Sequence, residues 1–398
     1  MDKSIIKKIL RYFPLLRRMM YWIMSKKSVG KKCAYRRKYV KFAMKAYREG
    51  VIESRVDRVA TEYTQDYFEG GGKESPEKWY LYDYGIATYK AKWYGITKEN
   101  CNRFLSDYDF YKAENYLNMR FVFWFDHKLS TYYILRPFID SMPIHHYYVR
   151  NGVYLPIDRR FIKEGYSHNS EDVIELLKTR PLIAKACVGG HGEGLYKLIY
   201  KDGGFLMNNL AADISEVRKV LTGLDDYIIT DFVAPHDDLA RIVGEDSYAV
   251  VRLTIFYDQQ DGPQLTSARV RLGCKQAGFR TDYDGTIYSG LTFDEGKTFG
   301  SWIRRGEFQY DEIHKHPDTG ADLDGIVIPN WDKLMKLISD ISKYIPMTPQ
   351  LDIDVIPTNE GFSVLEINSH GQFIECHYPF RDNKYNLKQY KTKDRVIK

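Results

Sequence analysis

The sequence predicts an α+β fold, and three observations support that prediction. Two apolar strands over residues 248–257 and 264–272 are joined by Asp261-Gly262-Pro263, a turn of residues that end strands. A second strand pair is predicted over 350–356 and 362–367. Helical patterns lie before and between these pairs. Antiparallel strand pairs mixed with helices indicate an α+β protein and not a doubly wound α/β sheet.

The other elements follow from capping residues, prolines and short apolar runs. Asp126 is predicted to cap a helix over 127–135, which ends at Arg136-Pro137 because the residue before proline avoids helical geometry. Further helices are predicted over 171–178, 215–221 and 331–344. The predicted strands between them are 145–149, 181–187, 195–200 and 227–233.

Composition limits the classes of protein to which the chain can belong. With 398 residues, of which 44% are hydrophobic, the chain is expected to form two or three domains with a sizeable core. The sequence contains no run of about 18 uncharged apolar residues, so no transmembrane helix is predicted. The five cysteines are scattered and never spaced as Cys-x-x-Cys, which argues against disulfides or a zinc site and favours the cytoplasm.

The N-terminal part of the chain is strongly basic. Residues 1–50 hold sixteen Lys and Arg and two acids, so their net charge is +14. Because the net charge of the whole chain is +6, the remaining residues carry −8. An apolar stripe at helical spacing runs through 10–23, and Pro14 within it predicts a kink or a break into two helices. Residues 1–60 are therefore predicted to be a basic amphipathic helical extension. It could attach to an anionic membrane surface or pack on its own domain; no nucleic-acid partner is expected, since no recognised module follows.

A glycine-rich segment follows the predicted strand at 181–187. Its glycines would let backbone N–H groups approach a polyphosphate, and Lys185 on the strand could direct a charge to the same place. The segment is neither a Walker A loop nor a Rossmann fingerprint, because it lacks Gly-Lys-Ser/Thr and a strand follows it. A phosphate-binding loop and a flexible hairpin both remain open. The glycines are Gly189, Gly190, Gly192 and Gly194.

The last predicted hairpin carries acids at alternate positions. Asp352 and Asp354 share one face of their strand, and Glu366 and Asn368 share one face of the next, because side chains alternate with period two. If the two faces coincide, their oxygen atoms suit Mg²⁺. The alternative is a half-exposed hairpin whose acids lie in water.

The order of these parts resembles the ATP-grasp superfamily, and most closely its sugar-transfer-associated family, found among polysaccharide biosynthesis genes. The resemblance covers about residues 120–378. It is carried by Asp126-x-Lys128, Lys185 before the glycine loop, the apolar hinge 227–233 and the Asp…Glu-x-Asn hairpin. More specific similarities are Val251-Arg252-Leu253-Thr254, His316-Pro317-Asp318-Thr319-Gly320 and Ile328-Pro329-Asn330-Trp331-Asp332.

This resemblance implies an ATP-grasp fold, two α+β subdomains that clasp ATP, and a role for each motif. The implied nucleotide-binding residues are Lys128, Lys185, Gly189, Gly190, Gly192, Gly194, Thr230, Asp231, Phe232 and Val233. The implied Mg²⁺ ligands are Asp354, Glu366 and Asn368. Arg252, Arg269 and Arg271 would stabilise the transferred phosphoryl group or bind an acidic substrate. The expected domain limits are 1–60, 61–165 (preceding region), 166–230 (lid subdomain) and 231–398 (subdomain with the metal site).

Each implied role has a plainer alternative. Lys128 could be a surface helix residue, Asp231 a cap of the hinge, and Arg269 and Arg271 members of ordinary salt bridges. The histidines His236 and His370 could be structural.

The sequence also departs from the family pattern at three places. Asp231 stands where Glu is commoner, and Asp282-Tyr283-Asp284-Gly285-Thr286 followed by Ser289-Gly290 replaces an Asn and Gly-Gly segment. Ser369-His370-Gly371-Gln372 replaces Asn-Pro-Gly. The last loop should border the acceptor pocket, so the substrate could differ from that of relatives.

The resemblance implies an ATP-dependent, Mg²⁺-dependent carboxylate–amine ligase that forms an amide through an acyl phosphate. Its carboxylate and amine substrates would be small molecules or linked to a glycan, in surface polysaccharide or glycoconjugate biosynthesis. A kinase acting on a sugar or lipid hydroxyl is one alternative. A non-catalytic nucleotide-binding scaffold of a glycan-assembly complex is another.

Overall fold

The computed structural model describes most of the chain from residue 75 to residue 369. The described residues are 66, 75–84, 86–94, 96–101, 104, 118, 121, 123–157, 168–190, 192, 194–244, 247–258, 260–306 and 309–369. The chain divides into two compact units, one of residues 1–119 with 372–398 and the other of 120–371. The predicted basic extension 1–60 and His370 lie outside the described residues, and the predicted domain limits stay a prediction.

The first unit contains a short 3-10 helix, Pro76–Lys78, followed by α1 (Tyr80–Tyr84) and α2 (Thr88–Tyr94). The buried carboxylate of Asp66 accepts hydrogen bonds from the Tyr82 hydroxyl and the Thr88 backbone N–H, both at 2.7 Å. Burial raises the pKa of Asp66, and these hydrogen bonds oppose that rise. Asp66 therefore joins α1 to the start of α2.

The second unit contains two seven-stranded antiparallel sheets, which confirms the predicted α+β class. Sheet A has the strand order β2-β1-β7-β3-β4-β5-β6. Its strands are β1 (His145–Arg150), β2 (Val153–Pro156), β3 (Leu182–Ala186), β4 (Tyr196–Lys201), β5 (Gly204–Met207), β6 (Leu210–Ala212) and β7 (Tyr227–Asp231).

Sheet B has the strand order β12-β11-β10-β9-β8-β13-β14. Its strands are β8 (Ala249–Asp258), β9 (Gly262–Leu272), β10 (Ile287–Leu291), β11 (Thr298–Gly306), β12 (Gln309–Glu312), β13 (Gln350–Thr358) and β14 (Gly361–Asn368). The remaining helices are α3 (Phe123–Asp126), α4 (Lys128–Ile134), the 3-10 helix Arg136–Ser141, α5 (Ser170–Leu177), α6 (Ile214–Thr222), α7 (Asp237–Val243) and α8 (Trp331–Tyr344).

Helices cover one face of each sheet, as the alternation of side chains requires. On sheet A, Val173 of α5 and Val217 of α6 pack with Leu182, Ala184 and Ile229 in one buried core. On sheet B, α8 supplies a buried stripe to a second core that includes Val251, Val270 and Ile353. The stripe consists of Leu334, Ile338 and Ile341. The polar side chains of alternate positions therefore lie on the opposite face of each sheet.

Most predicted elements are confirmed, but the predicted cap of α4 is wrong. The residue at the N-cap position of α4 is His127, and Asp126 ends the short helix α3. The Asp126 carboxylate instead accepts a hydrogen bond from the Ser369 hydroxyl at 3.2 Å. The sequence also gave no sign of α7, which His236 caps by accepting a hydrogen bond from the Asp238 backbone N–H.

Six strands of the structure have no counterpart in the predictions. Strands β2, β5, β6 and β12 have three or four residues each, and β10 and β11 contain Gly290 and Gly300 within their length. Short or glycine-containing strands give weak periodic patterns. These strands form by pairing with longer neighbours. Among the described residues, no helix is long and apolar enough to cross a membrane.

Candidate active site

The polar face of sheet B carries one row of charged side chains across four strands. The register sets Glu366 of β14 opposite Asp354 of β13, Asp354 opposite Arg252 of β8, and Arg252 opposite Arg269 of β9. The neighbouring row sets Asn368 opposite Asp352. The side chains of a row share one face because paired residues of adjacent strands point the same way. The predicted coincidence of the two acidic faces is thus present.

The polar face of sheet A supplies lysines. Lys185 on β3 lies two residues from Ile183, and Ile183 is paired with Lys197 of β4, so both lysines share a face. Lys185 spans the gap to sheet B, where its ammonium donates a hydrogen bond to the carbonyl oxygen of Leu365 at 3.2 Å. The polar faces of the two sheets therefore meet around Lys185 and β14, and we call the space between them the charged cleft.

Lys128 reaches the charged cleft from α4. Its ammonium donates a hydrogen bond to the carbonyl oxygen of Gly189 at 3.0 Å and lies 3.8 Å from Oε2 of Glu366. Its backbone N–H donates to the carbonyl oxygen of Cys187 at 2.9 Å, which fixes the start of α4 against the end of β3. The structure thus brings together Lys128, Lys185 and Glu366, three residues predicted for the site.

Glu366 and Lys185 are both charged near neutral pH. Burial would raise the pKa of Glu366, but the two lysines and Arg252 together lower it to about 2. Burial lowers the pKa of Lys185 to about 8, although Glu366 opposes that shift. The side chain of Glu366 is still 27% exposed. Glu366 is thus an ionised carboxylate that a ligand in the cleft can reach.

Asp354 lies deeper, between two arginines. Its Oδ2 is 2.7 Å from Nη2 of Arg271 and 3.3 Å from Nη1 of Arg252. Arg271 also approaches Asp282, with its Nη1 3.5 Å from Oδ2, and Asp282 in turn accepts a hydrogen bond from the Tyr288 hydroxyl at 2.7 Å. Arg271 therefore takes part in a buried ion-pair network. Membership of a salt bridge was the alternative to a role at the phosphoryl group.

Arg269 lies beside that network. Its guanidinium carbon is 5.4 Å from the centre of the Tyr288 ring, a distance at which a cation is attracted by the face of an aromatic ring. Asp352 is buried and accepts hydrogen bonds from the Thr254 hydroxyl at 2.5 Å and the Gln350 amide at 3.2 Å. Asp352 therefore forms part of the buried polar network beneath the row. Asn368 donates a hydrogen bond from Nδ2 to Oε1 of Glu366 at 3.3 Å.

The hinge, residues 227–233, contacts neighbouring segments through side chains and backbone at the end of β7. The carboxylate of Asp231 lies 2.7 Å from Nε2 of His146 and 3.2 Å from Nη1 of Arg180. The backbone N–H of Phe232 donates to the carbonyl oxygen of Pro181 at 3.0 Å. The structure thus places the Asp231 carboxylate in contact with β1 and the segment before β3, and the buried Thr230 bonds to the carbonyl oxygen of Asp231.

An apolar patch extends from the hinge along the polar face of sheet B. Val233 and Leu365 pack against buried Val250 and Ile356. Next to the hinge, the ammonium of buried Lys197 lies 4.4 Å from the ring centres of both Phe232 and Phe279. This patch is apolar and has a cation at its edge, which suits a planar ring.

The glycine loop joins β3 to β4 and contains two positions whose backbone conformation favours glycine. Gly192 and Gly194 have positive φ angles of 72° and 67°. A Cβ on Gly192 would lie 3.2 Å from the Cα of Arg280, and one on Gly194 would lie 2.5 Å from the Tyr227 hydroxyl. By contrast, a Cβ on Gly190 would meet nothing within 4 Å. The described part of the loop therefore approaches the segment after β9.

The His-Pro-Asp-Thr-Gly motif is structural in this molecule. His316 is buried, and its Nε2 donates to the carbonyl oxygen of Gly273 at 2.9 Å. Asp318 accepts a hydrogen bond from the Lys275 backbone N–H at 2.7 Å, and the Thr319 hydroxyl donates to the carbonyl oxygen of Ile242 at 2.6 Å. The motif fastens the segment after β9 to α7.

A cavity of about 600 Å³ lies at the hinge, where Asp231, Phe232 and Val233 line it. It is lined by Ile144, Asp231, Lys333, Leu337 and Phe362 among others, so it opens beside α8. Lys128, Lys185 and Glu366 do not line it. This cavity is therefore distinct from the part of the charged cleft around Glu366, although Val233 borders both the cavity and the apolar patch.

Comparison with protein families gives one decisive match. The model of the family described as sugar-transfer associated ATP-grasp matches residues 124–377, well over half of the chain. The chain belongs to this ATP-grasp family. The match includes the glycine loop, the hinge and both strands of the last hairpin. The resemblance seen in the sequence is thereby confirmed.

Several solved structures are distantly similar to this ATP-grasp protein. N5-carboxyaminoimidazole synthetase from Staphylococcus aureus, complexed with ADP, is 11% identical over 67% of this chain and 50% of that one, with a TM-score of 0.35. The L-amino acid ligase from Bacillus licheniformis is 10% identical over 64% and 43%, with a TM-score of 0.34. The D-Ala:D-Ser ligase from Enterococcus faecalis is 12% identical over 68% and 60%, with a TM-score of 0.35.

These likenesses are too distant to support an argument about activity, and the chain covers about half of each of these proteins. Comparison with curated proteins gave no match.

The residues of the ATP-grasp site fit the ligands that the family name suggests. Asp354, Glu366 and Asn368 offer only oxygen ligands on adjacent strands, which suits Mg²⁺. Lys128 and Lys185 offer two ammonium groups beside a glycine loop, which suits phosphates. Sequence reasoning missed Lys197, Phe279, His146 and Arg180 near the hinge. Each is an isolated residue in its own segment, and no local pattern marks it.

Proposed function

We propose that this protein is an ATP-dependent carboxylate–amine ligase. The observation that supports the proposal most strongly is the convergence of Lys128 and Lys185, from α4 and sheet A, on Glu366 of sheet B. A nucleoside triphosphate needs cations around its phosphates and carboxylates that bind its metal ion. The charged cleft offers two lysines and the carboxylate of Glu366 for these roles, and the apolar patch from Val233 to Ile356 offers a place for the base.

In the proposed reaction, a carboxylate oxygen of the substrate attacks the γ-phosphorus of ATP. The new P–O bond forms as the bond to ADP breaks, which gives an acyl phosphate. An amine then attacks the acyl carbon, the C–O bond to phosphate breaks, and the nitrogen loses a proton to give the amide. Lys128 and Lys185 would hold the phosphates, and Mg²⁺ on Asp354, Glu366 and Asn368 would neutralise their charge.

The chain's own side chains would position the reactants and would not react covalently. Burial raises the pKa of the Cys187 thiol to about 12, so this cysteine is protonated and a poor nucleophile near neutral pH. Arg252 lies next to Asp354 and in the same row as Glu366, where its charge could stabilise the transferred phosphoryl group. Orientation and charge stabilisation are the main sources of rate enhancement in phosphoryl transfer.

The acids of the cleft favour a ligase over a kinase. Transfer to a hydroxyl needs a base to accept its proton, whereas a substrate carboxylate is already ionised. Among the described residues of this face, Asp354 and Asp282 are held by arginines and Glu366 by lysines. A carboxylate acceptor therefore matches the site better than a hydroxyl acceptor.

The substrate class is part of the same proposal. The family description refers to sugar transfer, which supports a uronic acid or an amino acid, free or linked to a glycan, as the acid. The basic segment 1–50, which lies outside the described residues, is the proposed contact with an anionic membrane at the inner face. Co-sedimentation with anionic vesicles, with and without this segment, tests that contact, and equal pelleting contradicts it.

A coupled ADP-release screen over acids and amines tests the proposed reaction. We expect release of ADP only when both a carboxylate and an amine are present, and a product whose mass is that of an amide. ADP release with a hydroxyl acceptor and a phosphoester product would instead identify a kinase. Nucleotide binding with a turnover that Glu366→Ala leaves unchanged would identify a scaffold.

A further inference from the structure

A second group of potential ligands lies beside the charged cleft. His127 is at the N-cap of α4, Cys187 follows β3, and Asp226 precedes β7. Nε2 of His127 is 3.1 Å from Oδ1 of Asp226, and the ligand atoms of the three residues all lie within 4.8 Å of one another. These residues are distinct from the oxygen ligands Asp354, Glu366 and Asn368.

The backbone fixes the three residues relative to one another. The N–H of Cys187 donates to the carbonyl oxygen of Asp226 at 2.8 Å, and the carbonyl oxygen of Cys187 accepts from the Lys128 N–H at 2.9 Å. Asp226 itself has a positive φ of 57°. Three segments that are distant in the sequence are therefore joined at this point by main-chain hydrogen bonds.

The Asp226 carboxylate is also oriented by a neighbour. The Tyr148 hydroxyl, from β1, donates to Oδ1 of Asp226 at 3.0 Å. The Tyr148 ring also lies against the His127 imidazole, with ring centres 6.4 Å apart. Hydrogen bonds to a ligating carboxylate are a regular feature of metal sites, where they set its orientation and affinity.

The chemistry of the donors selects a class of metal ion. A thiol sulfur, an imidazole nitrogen and a carboxylate oxygen together suit Zn²⁺, whereas Mg²⁺ prefers oxygen alone. Cys187 is completely buried, but the side chains of His127 and Asp226 are 30% and 29% exposed. The group is therefore accessible from one side, where water could be a fourth ligand.

We propose that His127, Cys187 and Asp226 bind one Zn²⁺ ion, with the fourth position open to water. Binding forms the Zn–S bond as the thiol releases its proton to solvent, so the ion replaces that proton in the buried group. The ion would join the residue before Lys128 to the base of the glycine loop. It would thus hold the phosphate-binding lysines in position, but its binding does not depend on the proposed ligase activity.

Cobalt substitution in the full-length chain tests the proposal. After removal of metals with a chelator, titration with Co²⁺ should give one equivalent with an intense near-ultraviolet sulfur-to-cobalt band and the visible bands of tetrahedral coordination. Zn²⁺ should displace the bound Co²⁺, and excess Mg²⁺ should not. Glu366→Gln should keep the sulfur-to-cobalt band even if it abolishes ADP formation, which separates this proposal from the proposed function.

The variants Cys187→Ser and Cys274→Ser form a matched pair. Both cysteines are buried, and the Cys274 thiol bonds to the carbonyl oxygen of Gly285. Cys187→Ser should lose the sulfur-to-cobalt band and Cys274→Ser should keep it. Tyr148→Phe should weaken Co²⁺ binding by about 10–100-fold.

Two results would overturn the proposal. One is a wild-type chain without the sulfur-to-cobalt band, since the three residues would then be only a hydrogen-bonded cluster. The other is a band that persists in Cys187→Ser. If Cys187→Ser does not fold, as judged by circular dichroism, Asp226→Asn decides in its place: an unchanged Co²⁺ affinity would contradict the site, and a loss would support it.

Discussion

Two charged clusters lie on the same face of sheet B, and they differ in how they are built. The cluster at Glu366 is assembled from three elements, α4, β3 and β14, and its carboxylate is 27% exposed. The cluster around Asp354 and Asp282 is closed by Arg252 and Arg271, and the Asp354 side chain is only 4% exposed. The open cluster presents an exposed carboxylate to a ligand, whereas in the closed cluster two guanidinium groups already hold Oδ2 of Asp354.

This contrast shows how one sheet can separate binding from support. In the closed cluster, each carboxylate has arginine or hydroxyl partners from the same sheet or its loops. In the open cluster, the lysines come from outside the sheet, so the site is complete only when sheet A and α4 are in place. Substitutions in the closed cluster should therefore lower stability first, and those in the open cluster should lower activity first.

The largest effect is expected from Arg271→Met. Removing this guanidinium leaves the buried Asp354 and the partly buried Asp282 with fewer cationic partners, and loss of one partner of a buried ion pair typically costs about 3–5 kcal/mol. Urea unfolding measures this loss. Arg305→Met is the matched control, because the exposed pair with Asp311 should contribute at most about 1 kcal/mol. Equal losses in the two variants would contradict a closed, supporting cluster.

Glu366→Gln should have the largest effect on activity. The amide keeps the shape of the side chain but removes the charge that Lys128 and Lys185 face, so we expect about 10²–10³-fold lower ADP formation. Stability should change much less than in Arg271→Met. The control is Asp340→Asn, which alters an exposed carboxylate of α8 paired with Lys336. An unchanged rate in Glu366→Gln would mean that the open cluster is not the active site.

Tyr288→Phe sharpens the comparison within the closed cluster. The variant removes the 2.7 Å hydrogen bond to Asp282 but keeps the ring beside Arg269. Hydrogen bonds to charged groups contribute about 1.5–3 kcal/mol, so unfolding should require that much less free energy. The nucleotide affinity should remain within about twofold of the wild type, which corresponds to a change of about 0.4 kcal/mol in binding free energy. A large loss of nucleotide affinity would assign Tyr288 to the binding surface.

The smallest effect is a pH dependence from Lys185. Its pKa of about 8 in the free protein means that the ammonium loses its proton as pH rises through 8. Bound phosphates favour the charged form, so nucleotide affinity should fall above pH 8 by at most about tenfold per pH unit. Lys185→Arg keeps its charge at these pH values and should show a flatter profile in calorimetric titrations. Parallel profiles for both proteins would exclude Lys185 as the titrating group.

The sequence predicted the residues whose positions depend on local periodicity. Alternation along one strand sets the face of Asp354 and Asp352, and the same rule sets Glu366 and Asn368 on the next. Residues brought together by strand order were not predicted. His146 meets Asp231 because β7 lies between β1 and β3, and no local pattern encodes that order.

The cysteines illustrate the same limit. Their scattered spacing argued against a zinc site, but the fold brings Cys187 next to His127 and Asp226 from separate segments. The error about Asp126 had a different cause, since a capping residue can equally end one short helix before the next begins. Local rules therefore located the strands that carry the site, and tertiary contacts determined which of their side chains meet.

The most direct test of the charged cleft is a crystal structure with ADP and Mn²⁺ in place of Mg²⁺. We predict an anomalous manganese peak within bonding distance of Asp354, Glu366 and Asn368, with the phosphates between Lys128 and Lys185 and the base on the patch beside Val233. Nucleotide bound elsewhere, for example in the cavity beside α8, with no manganese at Glu366, would contradict this assignment of the site.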